Sequence, residues 1–558
     1  MTRAGLCALT IAACALAPAA CGNNPSPSAG KASAVATFNK DIASIAFANC
    51  VSCHRPGGDA PFSLMTYADA AKHAKAIGEA TLERHMPPWL PEAGDFPIAG
   101  VRRLTDAEIK TIQVWATGGA PEGNAADLPK APVFSSDWQL GKPDVVLTMP
   151  KPFVMKPGRE DVYRNVIFHA NFPDAAYIRA VELRTNGNPI HHAVVRIDRT
   201  GEARRRDGEG GQPGFNGMSS EALQDPDGQF LGWAPGRGPM VSPEGMPWLL
   251  ARGADIVVEL HLIPSDEPVN IQPTIALYVS NAPPVRVPVT GKLVSKTIDI
   301  PAGDANYVVT DRIELPVAVN LLGVFPHAHY LGKSMLVTAS IPGAGPKTLL
   351  DIRRWSFHWQ QDYRYLTPVA LPKGTVIDMR FTYDNSSGNA ENPSAPPVRV
   401  RVGLKSTDEM ANLGLQFIVA SPDDAAMLLT AFARKEVIDN IAAGESRVRE
   451  SPNSAADRLL LGGSYVQAGR FADALPHLEA AQRLDAKNPI VESYLGGAYV
   501  GLGKLPQAIE HFQRSTRLAP NDARTFVNLA DALQKAGRIA EATAAFKRAV
   551  ALDPTLLR

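Results

Sequence analysis

The spacing of apolar residues changes character along the chain. Its early part is helical in rhythm: Leu104-Thr105-Asp106-Ala107-Glu108-Ile109 opens a helix. Thr105 is its N-cap, acidic residues fill its first turn, and Ile109, Ile112, Val114 and Trp115 run along it until Gly118-Gly119 ends it. Gly119 to Pro132 is rich in Gly, Ala and Pro and reads as a linker. Beyond it the period falls to two. Asp144-Val145-Val146-Leu147, Ile256-Val257-Val258-Glu259-Leu260 and Val398-Arg399-Val400-Arg401-Val402 recur between Pro, Gly and Asn clusters. That alternation predicts half-buried strands, in a stretch of about 290 residues, too long for one small sheet. Two β-sandwiches, jelly-roll-like, are expected, with Gly201 to Gly245 as a long loop inside the first. After about Ala425 the rhythm is helical again and repeats: Gly469, Gly503 and Gly537 are 34 residues apart, as are Ala474, Ala508 and Ala542.

The expected fold class is therefore multidomain: a small all-α unit, two all-β sandwiches and an all-α solenoid. The boundaries predicted are 1–20 for a leader, 21–34 for a tether, 35–122 for the first helical unit and 123–137 for a linker. The sandwiches follow at 138–292 and 293–425, then a helical connector at 426–453 and three repeats over 454–558. A chain of 558 residues is indeed too long for one core. Lys plus Arg number 56 and Asp plus Glu 56, a balance that argues against a nucleic-acid binder, which needs a basic face.

Arg3 followed by the apolar run Leu6–Leu16, too short to span a bilayer, reads as an export signal. It ends in Pro18-Ala19-Ala20-Cys21-Gly22. This looks like a bacterial lipoprotein signal, although Pro18 stands where such signals usually carry Leu. The expected location is periplasmic, either soluble or tethered to the membrane through a lipidated Cys21. Of five cysteines, Cys7 and Cys14 lie in the leader and Cys21 at its end. Cys50 and Cys53 remain, in Cys50-Val51-Ser52-Cys53-His54. That pentapeptide is the attachment motif for c-type haem, with two thiols for the vinyl groups and a histidine for the iron. A redox dithiol or half a zinc site is the rival reading of the cysteine pair. His85-Met86-Pro87-Pro88-Trp89 supplies a second axial ligand. Met86 is the choice, since a thioether raises the iron's potential, and His85 is the competitor. A small cytochrome c suits residues 35–122.

Of twelve histidines, five sit in apolar strand contexts. His327 and His329, in Phe325-Pro326-His327-Ala328-His329-Tyr330, project from one face of a strand and suit one metal. His191 and His192 are adjacent and point to opposite faces of a regular strand, so sharing a metal requires a bulge, a strand end or different ring nitrogens. His261 closes Val257-Val258-Glu259-Leu260-His261. His73, His169, His358, His477 and His511 lack ligand-like partners in sequence.

The order His-His, single His, His-x-His and then Ser406-Thr407-Asp408-Glu409-Met410 resembles the copper type II, ascorbate-dependent monooxygenases, which include peptidylglycine α-hydroxylating and dopamine β-monooxygenases. The resemblance covers roughly residues 140–425. It implies two coppers: one for electron transfer on His191, His192 and His261, and one for O2 on His327, His329 and Met410. It implies hydroxylation of an aliphatic C–H with O2, driven by ascorbate or another reductant, here including the fused haem. The chain departs from the peptide-amidating members at Phe325, where they carry a substrate-holding Arg, and at Gly414, where they carry a Tyr. The substrate expected is thus a small organic molecule, more apolar than a glycine-extended peptide.

Gly469-Arg470-Phe471-Ala472-Asp473-Ala474-Leu475 and its 34-residue echoes resemble tetratricopeptide repeats, whose concave face takes a peptide or protein partner. The competing account of the whole chain is a non-catalytic haem and copper protein for electron transfer or copper handling, with the repeats as a docking module.

Overall fold

A computed structural model describes residues 35–557, apart from Asp59, 135–137, 186–189 and 218–222. The leader at 1–20, the tether at 21–34 and Cys21 lie outside the described residues.

The N-terminal helices Ala43–Asn49, Tyr67–Lys72, Ala74–Leu82 and Asp106–Thr117 gather around Phe38, Ile42, Val51, Leu64, Ile112 and Trp115. Thr105 and Glu108 cap the last of them reciprocally, each side chain satisfying the other's backbone N–H. Part of the stretch expected to be this unit belongs elsewhere in space. Trp89, Leu90, Phe96 and Ile98 pack on the core of the second β unit. Bridges Pro91↔Ile352 and Ile98↔Tyr365 fasten the arm there.

The first β unit packs two antiparallel sheets face to face. One runs in the order Val145–Thr148, Thr274–Val279, Ala176–Arg184, Trp248–Leu250. The other centres on Asp255–Leu262 between Val162–His169 and Ile190–Asp198. Their inward positions, Val166, Phe168, Val195, Ile197, Ile256 and Val258 against Ile178, Val181, Leu183, Ile275 and Leu277, form one core. Each such side chain contributes about 1.5–3 kcal/mol by leaving water. The expected long loop at 201–245 is a correction. It holds a helical turn, Glu202–Arg206, and short strands including Phe215–Asn216, Leu223–Gln224, Gly232–Trp233 and Met240–Val241 that add to both sheets. Two-residue strands are too short for a period to show in sequence.

In the second β unit Val289–Val294, Asn412–Ile418, Val319–His327 and Tyr363–Leu371 form one sheet. Tyr307–Glu314, Val376–Tyr383, Gly332–Ile341 and Gly345–Ile352 form the other. The boundary predicted at 292/293 cuts a strand: Val289–Val294 pairs along its whole length with Asn412–Ile418, so the unit begins before Val289. The two β units touch directly. Met246, Leu322 and Ile418 form a shared cluster, and Gln416 Nε2 donates to Gly228 O at 2.8 Å.

Helix Pro422–Glu450, capped by Ser421, starts earlier than the predicted connector. Leu428 and Phe432 on it are part of the second β core, and Lys435 Nζ lies 2.6 Å from Asp311 Oδ1. Its far end joins a helical array through Ile441 and Val448 against Leu461 and Tyr465. That array pairs Ala455–Gln467 with Phe471–Leu484, Pro489–Gly501 with Leu505–Leu518, and Ala523–Lys535 with Ile539–Leu552. Gly469, Gly503 and Gly537 make the turns at φ of 72°, 73° and 76°, which side chains with a Cβ rarely adopt. Among the described residues no helix is long and apolar enough to cross a membrane.

Candidate metal centre

Register explains how adjacent histidines meet. In the pairing of Ile190–Asp198 with Asp255–Leu262, His192 stands opposite His261 and Ile190 opposite Leu262. His191 is left over as a bulge, which turns its ring back toward its neighbour's side. The three Nδ1 atoms then converge: 3.1 Å between His191 and His192, and 3.3 Å from each to His261. Ligands about 2.0 Å from a metal in tetrahedral directions lie about 3.3 Å from one another. These side chains are, among the described residues, a group of His, Cys, Asp or Glu close enough to hold one ion. His191 and His261 are buried. Burial, reinforced by the neighbouring imidazoles, pushes His191 down to about 3 and His192 well below its ordinary value. Neutral rings of this kind present lone pairs.

His327 ends the Val319–His327 strand opposite Asn412. Two residues on, His329 meets the segment that precedes Asn412, through its backbone N–H to Glu409 and its ring to Asp408. The Asp408–Met410 segment is clasped there. The buried Glu409 carboxylate accepts from the backbone N–H groups of His329, of Leu331 at 3.0 Å and of Met410 at 2.9 Å. Burial pushes that carboxyl up to about 8 against the pull of these donors. His329 Nδ1 faces Asp408 O at 3.0 Å and His327 Nδ1 faces Gln360 Oε1 at 2.5 Å. With both Nδ1 atoms donating, the Nε2 atoms are the ones left for a metal. Desolvation lowers His327 to about 3 and His329 to about 4. Met410 is half-buried, its Sδ 3.6 Å from Asn412 Nδ2.

Phe357 stands between the two groups. Its ring lies 4.9 Å from that of His191 and 5.6 Å from that of His329. It comes from the 353–362 loop of the second β unit, which also carries Gln360 and sets the His358 ring 5.3 Å from His191. His358, taken from sequence as background, is thus a neighbour of the centre. The aromatic crowding of Trp355-Ser356-Phe357-His358-Trp359 inside a loop was the available signal. His169 is elsewhere: it pairs with Asp255, at the other end of the strand from His261, with Nδ1 2.7 Å from the carboxylate.

The two positions that depart from the peptide-amidating pattern are direct partners, Phe325 opposite Gly414. The Phe230 ring from the first β unit fills the space, 6.0 Å from that of Phe325 and 2.9 Å from where a Cβ on Gly414 would stand. Phe325 and His327 share a face of their strand. The wall beside His327 is therefore aromatic and uncharged at this point.

In the N-terminal unit Cys50 and Cys53 are both unpaired, and burial pushes the Cys50 thiol up to about 12. His54 Nδ1 lies 3.0 Å from Phe62 O, which leaves Nε2 outside that bond. Met86 is half-buried after the Ala74–Leu82 helix, whereas His85 is exposed with Nδ1 3.2 Å from Glu83. Cys53 faces the first β unit: a Cβ on Gly236 would stand 2.7 Å from its Sγ. Arg102 donates to Gly236 O at 2.9 Å and to Gln361 Oε1 at 3.2 Å, beside the Gln360 that holds His327.

Comparison with known proteins reaches the C-terminal array. A tetratricopeptide repeat family matches residues 489–555. This part of the chain is an all-α tetratricopeptide repeat region. No curated protein matches the chain. The solved structure titled "MamA MSR-1 C2" is 26% identical, covering 25% of this chain and 82% of its own, at a TM-score of 0.21. "MamA AMB-1 C2221" is 29% identical over 23% of this chain and 78% of its own, with a TM-score of 0.20.

Proposed function

We propose that this protein is a copper-dependent monooxygenase that hydroxylates an aliphatic C–H of a small organic substrate with O2. The observation that carries the reading is the convergence of the His191, His192 and His261 Nδ1 atoms at 3.1–3.3 Å, the spacing a bound metal asks for. His191, His192 and His261 hold one copper. His327, His329 and Met410 hold the second and are the catalytic set. Bound copper supplies one-electron chemistry toward O2, and the thioether of Met410 favours its reduced state.

The protein's own groups orient and shield. Gln360 and the Asp408 carbonyl fix the tautomers of His327 and His329. Glu409 pins the methionine segment beside them. Phe357 keeps water from the space between the two groups, and Phe325 with Phe230 offers an apolar wall to the substrate.

The N-terminal unit is read as a cytochrome c, its haem held by Cys50, Cys53, His54 and Met86. The free thiols, and a His54 whose Nδ1 is engaged by Phe62 O so that Nε2 is left to ligate, fit that group. Electrons come from ascorbate or by way of this haem, whose attachment site abuts the β units at Gly236. The protein is exported, either periplasmic or anchored through Cys21, and a protein or peptide partner binds the solenoid.

The test is O2 uptake by copper-loaded, haem-attached protein with reductant, comparing wild type and Met410→Ala across small aliphatic and aromatic compounds. Expected is substrate-dependent uptake with a product heavier by one oxygen, reduced at least a hundredfold in the variant, about 3 kcal/mol of lost transition-state stabilisation. Equal slow uptake in both proteins, with haem and copper still exchanging electrons, overturns the proposal in favour of plain electron transfer.

A further inference from the structure

Asp161 enters none of the roles above, yet it is built into the centre. It immediately precedes the Val162–His169 strand, whose Tyr163 pairs with His261 across the sheet. Tyr163 stacks on the His261 ring, centroids 4.6 Å apart and planes 15° from parallel. Residues 161 and 163 fall on the same side of the chain. Asp161 thereby reaches the edge of the ring that Tyr163 covers, and its Oδ2 lies 3.2 Å from His261 Nε2. Its side chain is nine-tenths buried, at 10% exposure, and that of His261 is 1% exposed. Asp161 also takes a hydrogen bond from Ser406, at the start of the segment that ends in Met410.

We propose that Asp161 is a positioning residue for the first metal, a reading that rests on the copper function above. Its carboxylate, 3.2 Å from the buried His261 Nε2, favours the tautomer that carries the proton on that nitrogen and leaves Nδ1 bare, the atom that faces His191 and His192. Its negative charge makes that imidazole a stronger donor and favours the oxidised metal. Tyr163 sets the plane of the ring and Asp161 its rotation, so the ligand is in place before metal arrives. A purely structural ion pair would serve the fold equally well with the ring reversed. The arrangement seen here places the carboxylate on the far nitrogen.

The experiment uses the full-length protein and Cu(II) ions alone, titrated against a competing chelator. It compares wild type, Asp161→Asn, Asp161→Ala and Ser406→Ala, with thermal unfolding followed in each. Expected is a loss of about 10- to 100-fold in affinity at one of two copper sites for the Asp161 variants, Ala more than Asn. The electron paramagnetic resonance signal of that site alone should change and its Cu(II)/Cu(I) potential should rise. Ser406→Ala, which leaves the His261 contact intact, should bind as wild type does. Two sites filled in the Asp161 variants with wild-type affinity, signal and potential overturn the assignment and leave the copper reading standing. Equal weakening of both sites with a lower Tm also overturns it, since that is the mark of a structural role. Wild type that takes up no copper overturns the function itself, and this assignment with it.

Discussion

At the residue scale the centre depends on side chains whose work is to hold others. Glu409 is the clearest case. It is buried, and three backbone N–H groups from two segments converge on its carboxylate. Truncation to Ala strands those donors away from water, at about 1–3 kcal/mol for each one left unpaired. Glu409→Ala should therefore lower the midpoint of urea unfolding by an amount worth several kcal/mol. It should also abolish copper binding at the His327 site while the His191 site still fills, read by copper stoichiometry. A Glu409→Ala protein with wild-type unfolding and two coppers would mean that the clasp is dispensable. The same logic separates Gln360 from Gln361: neighbours in sequence, one fixes His327 and the other meets Arg102 from the N-terminal unit.

At the element scale, a bulge and an abutted helix decide the outcome. The extra residue in Ile190–Asp198 lets two consecutive histidines serve one ion, which a regular strand forbids. Helix Pro422–Glu450 seats Phe432 over Gly291, where a Cβ would run into the aromatic ring. Gly291 lies in a strand interior, where glycine usually weakens pairing, and the close approach of the ring explains it. Gly291→Leu should lift the helix from the sheet at a cost of about 1–3 kcal/mol. The measurement is limited proteolysis near Ser421 together with chemical unfolding. An unchanged cleavage pattern and midpoint would show that the helix is held by its ion pairs at Lys435 and Lys296 instead.

At the scale of the whole molecule the units are joined by shared cores. The arm bearing Trp89, Leu90, Phe96 and Ile98 ties the N-terminal helices to the second β unit. Leu428 and Phe432 tie the long helix to the same core. A chain ended after residue 453 should keep the thermal stability of its β units, because it retains that helix. A chain ended after residue 421 loses two buried side chains from the core, about 1.5–3 kcal/mol for each, and should unfold several degrees lower. Calorimetry of the two truncated proteins beside the full chain checks this. Equal melting of the two would place the solenoid's anchor elsewhere.

The sequence by itself determined the class of each unit and the names of the chemical groups. Periods of 3.6 and 2 follow from which side of an element meets water, and the 34-residue glycines follow from a turn that needs positive φ. Those signals are local, so they survive in one dimension. The ten candidate ligands were legible for the same reason, as short motifs: five histidines in apolar strands, Met410 in the Ser406–Met410 motif, and Cys50, Cys53, His54 and Met86 in the N-terminal unit. What holds them was not. Asp161 and Gln360 lie in unremarked polar stretches, Glu409 stands inside the Ser406–Met410 motif with no sign there of what it clasps, and Phe357 and His358 sit in a loop. Gln360, Glu409 and Asp161 meet their histidines 33 to 100 residues away, and Phe357 and His358 meet His191 from further still. The pairing of His191 with His192 depended on a register shift set by a strand 70 residues on, and the true start of the second β unit on a partner strand past residue 411. Long-range pairing leaves no periodic trace near the residues it brings together, and only the tertiary structure decides it.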